Sequence, residues 1–185
     1  MLNRYLILLF FILLLPSAVY SQDDLDYVPP LKERFFFGGS FGLQFGTITD
    51  IQASPVVGIW ALPRLGIAAG PNYRYYSFRS SNTHIYGGRS YLQYIFLRDI
   101  SSVIPIGINT GIFLHGEYEL LSLESAYWKN PYMSGRFTTS TLLLGAGLSQ
   151  QTGRRSSLNF MVLWPVNDTE YGIYSNPEIR ISFLF

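Results

Sequence analysis

The chemistry that this sequence could support centres on His115 and Glu117, which lie two residues apart in the run FLHGEYEL. On a β-strand, side chains two residues apart project from the same face. A histidine that is oriented by a carboxylate can act as a general base, so this pair is a candidate catalytic site. The rest of the sequence shows no metal-ligand spacing, no phosphate-binding glycine loop and no nucleophile elbow. We therefore expect no cofactor.

The charges within the predicted strands also have a structural interpretation, as a network of ion pairs. Once the chain is divided into strands, three cations and three carboxylates share the face of His115. They are Arg74, Arg89, Glu117, Glu119, Glu178 and Arg180. A buried charge without a partner is strongly destabilising, so a balanced set of this kind can serve packing alone. We favour this interpretation, because clusters of ionisable groups also occur away from catalytic sites.

The composition narrows the class of protein. The 185 residues include no cysteine, 48% are hydrophobic and only 14% are charged, whereas an average soluble domain has roughly 25% charged residues. Without cysteine there is no disulfide framework, no cysteine nucleophile and no zinc–thiolate site. Thirteen Lys and Arg against twelve Asp and Glu leave no basic surface for nucleic acid. The chain is short of the charged groups that would solubilise a protein surface.

The first 21 residues have the pattern of a secretory signal peptide. A positive charge at Arg4 precedes the apolar run Tyr5–Leu15, Pro16 ends this run, and small residues lead to Ser21. The apolar run is shorter than the ~20 residues that span a bilayer as a helix. We predict cleavage before Gln22, followed by a flexible leader over residues 22–33 that is first acidic and then proline-rich.

Beyond the leader, apolar residues recur with a period of two between clusters of turn-forming residues. This pattern predicts eight strands. Their bounds lie near Arg34–Phe45, Asp50–Ala61, Leu65–Phe78, His84–Leu97, Ile104–Ser122, Arg136–Ser149, Ser157–Trp164 and Pro177–Phe185. No segment after the leader is long and apolar enough for a transmembrane helix. If the chain enters a membrane, it does so with strands.

The two faces of these strands differ in a way that a water-soluble barrel would not show. In the fifth strand, the even positions from Ile104 to Leu120 are mostly apolar, whereas the odd positions combine glycines with His115 and two glutamates. A soluble ligand-binding barrel would place apolar residues inside and charges outside. We predict the reverse, with apolar residues facing lipid. The strands must then close into a barrel, because backbone groups cannot stay unpaired in hydrocarbon.

The last predicted strand carries an apolar residue at every second position up to a final phenylalanine. These residues are Ile179, Ile181, Phe183 and Phe185. Together with the signal peptide and the eight amphipathic strands, this pattern resembles the small eight-stranded outer-membrane β-barrel proteins of Gram-negative bacteria, over Arg34–Phe185. The resemblance implies an outer-membrane location, contact with outer-membrane lipid and lipopolysaccharide, and recognition of the last strand by the barrel-assembly machinery. It also implies a periplasmic leader and short periplasmic turns, with the longer loops outside the cell.

Architecture alone does not fix function, so three classes of function stay open. We favour a structural or interaction protein of the envelope with no enzymatic activity. We expect side chains to fill its lumen, because a barrel of eight strands has room for little else. One alternative is a lipid A-modifying barrel enzyme, an acyltransferase or deacylase, with His115 and Glu117 as candidate catalytic residues. The other is a small-solute pore.

The predicted outer loop over residues 123–135 is rich in aromatic side chains. Its members Tyr127, Trp128 and Tyr132 lie beside a lysine. Such a group could contact a glycan or a protein partner, or it could pack over the mouth of the barrel. We favour packing, because the outer loops must cover the strand ends.

Overall fold

The computed structural model describes residues 30–44, 48–79, 81–102, 110–129, 132, 134–153, 155–167, 173–174 and 177–185. The predicted signal peptide and most of the predicted leader lie outside these described residues. The same is true of residues 104–109, the first part of the predicted fifth strand.

Eight β-strands account for most of the described residues. Their bounds are β1 Phe35–Gln44, β2 Ile48–Leu62, β3 Leu65–Phe78, β4 Ser81–Leu97, β5 Thr110–Glu124, β6 Arg136–Gln151, β7 Ser157–Pro165 and β8 Glu178–Leu184. Short helical turns are α1 Leu31–Arg34, the 3-10 turn Ile100–Ser102 and α2 Ser125–Trp128. In the described part of the chain, no helix has the length and apolarity needed to cross a membrane.

The strands form one closed barrel in which each strand pairs antiparallel with its neighbours in the sequence, and β8 returns to β1. The prediction of an all-β fold with eight antiparallel, up-and-down strands in a barrel is therefore confirmed. We name the end of the barrel that holds Phe35 and Leu184 the proximal end. The opposite end, which holds Gln44 and Glu178, is the distal end.

Some strand ends differ from the predicted ones because local turns compete with strand pairing. The strand β4 begins at Ser81 instead of His84, since its pairing with β3 continues up to Phe78↔Ser81. The intervening Arg79 has a φ of 56°, the left-handed conformation that tight hairpin turns require. At the proximal end, Arg34 belongs to α1, so β1 starts one residue later than predicted.

Side chains alternate between the lumen and the outside along the strands. In β5, the odd positions from Phe113 to Leu123 are buried, whereas Leu114, Tyr118 and Leu120 are exposed. Large apolar side chains are exposed on the outside of all eight strands, among them Phe41, Val57, Ile67, Leu92, Leu114, Leu144, Phe160 and Phe183. The barrel is thus apolar on the outside and carries buried charges inside.

The lumen also contains two apolar clusters. The first consists of Ile85, Phe113, Leu121, Leu123, Leu143, Met161, Leu163, Ile173 and Tyr174. The second consists of Phe36, Val56, Ala68, Tyr91 and Leu184, with Trp60 packed against it. Ile173 and Tyr174 belong to the connection between β7 and β8, so part of this connection enters the distal mouth of the barrel.

The pairing of β2 with β3 is interrupted where Pro55 and Pro71 lie. Proline has no backbone N–H to donate to a strand ladder. The carbonyl oxygen of Ser54 instead accepts a hydrogen bond from Nη2 of Arg89 at 2.9 Å. A side chain in the lumen thus supplies a hydrogen bond to the wall.

A side chain also extends the wall beyond the end of β7. The Oδ1 atom of Asn167 accepts a hydrogen bond from the Leu142 N–H of β6 at 2.6 Å, and its Nδ2 donates to the Ser140 carbonyl oxygen at 2.7 Å. The amide of Asn167 therefore takes the place of a further strand residue beside β6.

The junction of β1 with β8 is the shortest in the barrel. Reciprocal backbone hydrogen bonds join Phe37 and Phe185, and the register pairs are Gly38↔Leu184, Gly39↔Phe183 and Ser40↔Ser182. Within the described residues, no register pair joins the distal part of β1, Phe41–Gln44, with Glu178–Ile181 of β8. The two strand edges are not paired with each other there.

Substitution of Gly145 tests how tightly the strands of the wall are packed. A Cβ atom at this position of β6 would overlap the Val162 carbonyl oxygen of β7 and would lie 2.9 Å from Leu163 Cα. We expect Gly145→Ala to destabilise the barrel by about 1–3 kcal/mol, as overpacking of a well-packed interior usually does, and to lower the midpoint of urea unfolding. Gly88→Ala is the matched control, since its Cβ would meet only the Gly70 carbonyl oxygen, at 3.7 Å. Equal midpoints for the two variants would contradict this packing.

Candidate functional site

The candidate site is a group of charged side chains in the lumen, which we name the ion cluster. It consists of Arg89 on β4, His115, Glu117 and Glu119 on β5, and Arg180 on β8. Each of these residues is at most 5% exposed. The strand β5 supplies three members because alternate residues of a strand share a face. Arg180 reaches them from β8, which is not a neighbour of β5 in the wall.

Glu117 lies at the centre of the ion cluster. Its Oε1 is 2.5 Å from Nη1 of Arg180 and 3.6 Å from Nη1 of Arg89, and its Oε2 is 3.0 Å from Nε2 of His115. The same Nη1 of Arg180 lies 3.4 Å from Oε1 of Glu119. Two guanidinium groups thus balance two carboxylates, which offsets the cost of removing these charges from water.

Glu119 has a further partner from the connection between β7 and β8. The Tyr174 hydroxyl donates a hydrogen bond to Oε2 of Glu119. The preceding residue, Ile173, accepts a hydrogen bond at its backbone carbonyl oxygen from Nη1 of Arg74, at 3.0 Å. These two bonds fasten the connection inside the mouth of the barrel.

Arg74 forms a separate ion pair with Asp50 of β2. Nε of Arg74 lies 2.8 Å and 2.9 Å from the two carboxylate oxygens, and its Nη2 donates to Oδ2 of Asp50 as well. A carboxylate that receives two guanidinium nitrogens is among the stronger ion pairs in proteins. The structure therefore divides the predicted network, with Arg74 in a pair of its own and the β5 glutamates in the ion cluster.

Glu178, the remaining member of the predicted network, is half-buried at the start of β8. It lines a cavity of about 270 Å³, together with Asp50, Gln52 and Arg74 from the lumen side. This position places Glu178 at the wall, beside the unpaired part of the junction between β1 and β8.

His115 is enclosed by its neighbours. The rings of Tyr91 and Phe113 lie at centroid distances of 4.7 Å and 6.3 Å from the imidazole. Among the described residues, no hydroxyl group is hydrogen-bonded to either ring nitrogen. The cavity beside His115 and Glu117 has a volume of only about 10 Å³, which is room for one water molecule. The pair has the distance expected of a base and its orienting carboxylate, but the cavity that borders both side chains is too small for a substrate.

Other chemical features of the described residues are less organised. No group of three or more His, Cys, Asp or Glu side chains among them is arranged to hold a metal ion. A cavity of about 460 Å³ lies toward the proximal end, with Trp60, Arg98, Asp99 and Arg155 in its lining. Arg155 there forms an ion pair with Glu33 of α1, at 3.2 Å.

The aromatic residues of the predicted outer loop fall into two sets. Tyr127 and Trp128 are on α2, and their rings pack on Tyr76 at centroid distances of 6.1 Å and 5.8 Å. Burial raises the pKa of the Tyr127 hydroxyl, and the neighbouring Tyr76 adds to this shift. Tyr132 is instead 96% exposed. The first two residues thus pack together at the mouth of the barrel, and only Tyr132 projects from it.

The four residues of the predicted assembly signal lie on one face of the last strand. Ile179, Ile181, Phe183 and Phe185 are all exposed on the outside of the barrel. The alternating lumen-facing residues Arg180, Ser182 and Leu184 are buried. The alternation that the sequence predicts for this strand is therefore present.

Three residues that bind the predicted charged side chains are not themselves predicted from the sequence. They are Asp50, Tyr174 and Ser54, which contributes its backbone carbonyl. Only part of a signal for Asp50 exists, because alternation along β2 places it on the same face as Gln52, whereas Gln52 lies opposite Arg74 through a register shift between Trp60 and Leu62 that the sequence does not reveal. Asp50 lies two residues further along that strand, which makes it a diagonal neighbour of Arg74 on the same face. For Tyr174, which lies in a predicted loop, the sequence offers no such signal.

Comparison with known proteins adds little to this picture. No protein-family model matches the sequence, and no curated protein sequence matches it. Among solved structures, the chain is similar to the crystal structure of the N-terminal β-barrel domain of Pseudomonas aeruginosa OprF, with a TM-score of 0.49 and 10% sequence identity. The match covers 82% of this chain and 98% of that chain. The likeness concerns the arrangement of strands and does not extend to function.

Removal of Arg180 tests the ion cluster. Arg180→Met takes away the guanidinium nearest to Glu117 and leaves that carboxylate buried without its main partner. Breaking a buried ion pair in this way costs about 3–5 kcal/mol, so we expect the midpoint of urea unfolding to fall accordingly. A further Glu117→Gln substitution should restore part of the loss, because it removes the uncompensated charge.

Arg155→Met is the control for this series. Arg155 and its partner Glu33 are 66% and 49% exposed, and exposed pairs contribute only about 0–1 kcal/mol. A loss for Arg180→Met as small as that of the control would show that the ion cluster does not hold the barrel together.

Proposed function

We propose that this chain is an integral outer-membrane β-barrel protein with a structural or interaction role in the cell envelope. The observation that carries this proposal is the inverted distribution of side chains, with apolar residues on the outside of a closed barrel and the ion cluster in its lumen. So extensive an apolar exterior is unfavourable in water. It is the exterior that lipid requires of a transmembrane barrel.

The lengths of the strands and the positions of the aromatic residues support a membrane location. A tilted strand needs roughly 9–11 residues to cross a bilayer. The strands β1 to β7 have between 9 and 17 residues, and β8 has 7. Exposed aromatic residues lie near both ends of the barrel, as in the aromatic girdles of membrane barrels. They are Phe35, Phe37, Tyr94 and Phe96 toward the proximal end, and Tyr73, Tyr86, Tyr118 and Trp164 toward the distal end.

The predicted signal peptide supports export across the inner membrane, with cleavage before residue 22. The outward apolar residues of β8 fit recognition by the barrel-assembly machinery, as the resemblance to small outer-membrane barrels implies. In the outer membrane, the exposed apolar side chains would contact lipid, and the distal end would contact lipopolysaccharide. A protein partner, if the role is one of interaction, would meet the parts of the barrel outside the bilayer.

We further propose that the chain has no catalytic activity and is not an open pore. Support comes from the packing around His115, where the adjoining cavity of about 10 Å³ leaves no space for a substrate. The two apolar clusters and the Ile173–Tyr174 segment add side chains to the lumen at several heights. A structural role is consistent with a lumen filled in this way.

Cell fractionation tests the membrane location. Expressed with its signal peptide in a Gram-negative bacterium, the protein should be recovered with the outer membrane, because its exterior is apolar. On a denaturing gel, the unheated sample should migrate faster than the boiled one, since a closed barrel stays compact in the detergent until it is heated. Recovery of the mature chain in the water-soluble fraction would overturn the proposal.

Lipid A analysis tests the absence of catalysis. Mass spectrometry of lipid A should give the same acyl pattern in a host without the protein, with the wild-type protein and with the His115→Ala variant. The reason is that the cavity bordered by both His115 and Glu117 has a volume of only about 10 Å³, too small for a lipid substrate. An acyl-chain change that appears with the wild type and disappears with His115→Ala would favour the lipid A-modifying alternative.

A further inference from the structure

The outside of the barrel carries a fixed cation at its distal end. Arg136, the first residue of β6, is exposed. Its Nε donates a hydrogen bond to Oγ of Ser122 at 3.0 Å, and its Nη2 donates to the backbone carbonyl oxygens of His84 and Ser122 at 2.7 Å and 2.5 Å. These carbonyls lie at the distal end of the β4–β5 junction, where Tyr86↔Ser122 is the last register pair. The guanidinium is thus held in one position against the outer wall.

The charge of Arg136 is not used in an ion pair with any described residue. Its hydrogen-bond partners are a hydroxyl group and two carbonyl oxygens, all of them neutral. Glu124 lies opposite Arg136 in the register, but its Oε2 accepts a hydrogen bond from the Thr83 hydroxyl at 3.0 Å. Among the described residues, Nη1 of Arg136 has no acceptor. Its two N–H groups suit an anionic ligand.

Aromatic rings surround this guanidinium. The Cζ atom of Arg136 lies 5.0 Å from the centroid of the Tyr86 ring. Tyr73 and His84 pack beside Tyr86 at centroid distances of 5.6 Å and 6.3 Å, and the Tyr73 hydroxyl is hydrogen-bonded to Nδ1 of His84 at 2.9 Å. Tyr73 and Tyr86 are 39% and 49% exposed. We name Tyr73, His84, Tyr86 and Arg136 the rim patch.

An apolar groove lies on the outside of β3 to β6, nearer the middle of the wall. It has a volume of about 330 Å³. In the register, Ser90 lies opposite Tyr118, and Gly116 lies between Leu92 and Leu144. The two small residues leave the space that their large neighbours enclose. The alternate residues of β4 and β5 that also border this space have their side chains buried in the lumen. We name it the wall groove.

The rim patch and the wall groove form one continuous track along β4. The outward residues from the rim toward the middle of the wall are Tyr86, Gly88, Ser90 and Leu92, and the two in the centre have little or no side chain. Six residues of strand cover about 20 Å. With a tilt of 35–45°, this is about 15 Å across the membrane, half of the ~30 Å hydrocarbon core. The track is therefore cationic and aromatic at the rim and apolar over the depth of one leaflet.

We propose that the rim patch and the wall groove bind a phosphorylated glycolipid, with a phosphate on Arg136, a sugar ring against the tyrosine rings and an acyl chain in the groove. The inference rests on the proposed function and names the residues that would contact lipopolysaccharide. Guanidinium groups form strong charge-assisted hydrogen bonds with phosphate oxygens. The apolar C–H face of a sugar ring fits an exposed aromatic face, which favours a glycolipid over a phospholipid.

A second copy of the chain is the competing occupant of the wall groove. Small residues such as Ser90 and Gly116 also allow close approach between proteins in a membrane. A symmetric dimer with its axis along the membrane normal would, however, bring the Arg136 groups of both copies to the same level. It would add like charges to each other and supply no anion, so the glycolipid fits better.

Native mass spectrometry of the barrel in a non-ionic detergent tests the proposal with three lipids. They are lipid A with both phosphates, lipid A from which both phosphates have been removed, and phosphatidylglycerol. We expect the phosphorylated lipid A to bind at least tenfold more tightly than the dephosphorylated form and at least fivefold more tightly than phosphatidylglycerol. Equal binding of the two forms of lipid A would overturn the proposal. Equal binding of phosphatidylglycerol would overturn the assignment to a glycolipid.

Arg136→Met tests the phosphate contact. We expect this variant to bind the two forms of lipid A equally, because the cation of the rim patch is gone. Arg155→Met, which removes an exposed arginine at the proximal end, is the control and should keep the preference of the wild type. A preference that persists unchanged in Arg136→Met would contradict the proposal.

A block introduced after folding covers the case in which Arg136→Met fails to form a barrel. Since the chain has no cysteine, Ser90→Cys can be folded first and then modified with N-phenylmaleimide, which fills the wall groove. Phe41→Cys is the control, because Phe41 is 54% exposed on β1, away from the groove. Modification should lower the binding of phosphorylated lipid A at least tenfold only at position 90. Equal binding after both modifications, or a dimer that disappears only when position 90 is modified, would count against a glycolipid.

Folding and binding are scored separately in each of these experiments. Heat-dependent migration reports a closed barrel, and fractionation reports the membrane location. A barrel that inserts and does not distinguish the two forms of lipid A overturns the inference alone, whereas a chain that stays in the soluble fraction overturns the proposed function.

Discussion

Eight strands enclose a lumen so narrow that every inward side chain must fit against the others, and the rest of the structure follows from this limit. Glycines provide the space for the largest groups. A Cβ atom on Gly58 would overlap the ring of Phe36, and one on Gly147 would lie 2.5 Å from the ring of Phe113. Water has little access to such an interior, so any charge in it needs a protein partner. Glu117 meets this requirement through Arg180, Arg89 and His115.

The lumen and the wall stabilise each other. Arg89 balances Glu117 and also donates to the Ser54 carbonyl oxygen, near the prolines that interrupt the ladder between β2 and β3. Arg74 binds Asp50 and also holds the backbone of Ile173 in the mouth. Each arginine therefore contributes both a charge to an ion pair and a hydrogen bond to a backbone group. Loss of either side chain would affect the packing of the interior and the pairing of the backbone together.

The sequence is sufficient to predict the strands and their faces, because alternation along β5 and β8 records directly which side chains point inward. It also indicates that Glu117, Glu119 and Arg180 share a lumen. It cannot divide the charges between separate groups, since Arg74 pairs with Asp50 through the register of β2 with β3 and not through spacing within one strand. Tyr174 is beyond sequence reasoning for a different reason. Its position depends on how a connection folds back into the barrel, and loop residues carry no periodic pattern.

The inward turn of the β7–β8 connection ties two parts of the barrel together by a short tether. The Tyr174 hydroxyl donates a hydrogen bond to Glu119 in the lumen, and Glu178, four residues later, borders the cavity of about 270 Å³ beside the unpaired part of the junction between β1 and β8. Four residues span at most about 14 Å when fully extended. The plug in the mouth and the edge of the wall therefore cannot separate by more than this length. The filling of the distal mouth and the place where pairing between β1 and β8 ends thus lie within one short length of chain.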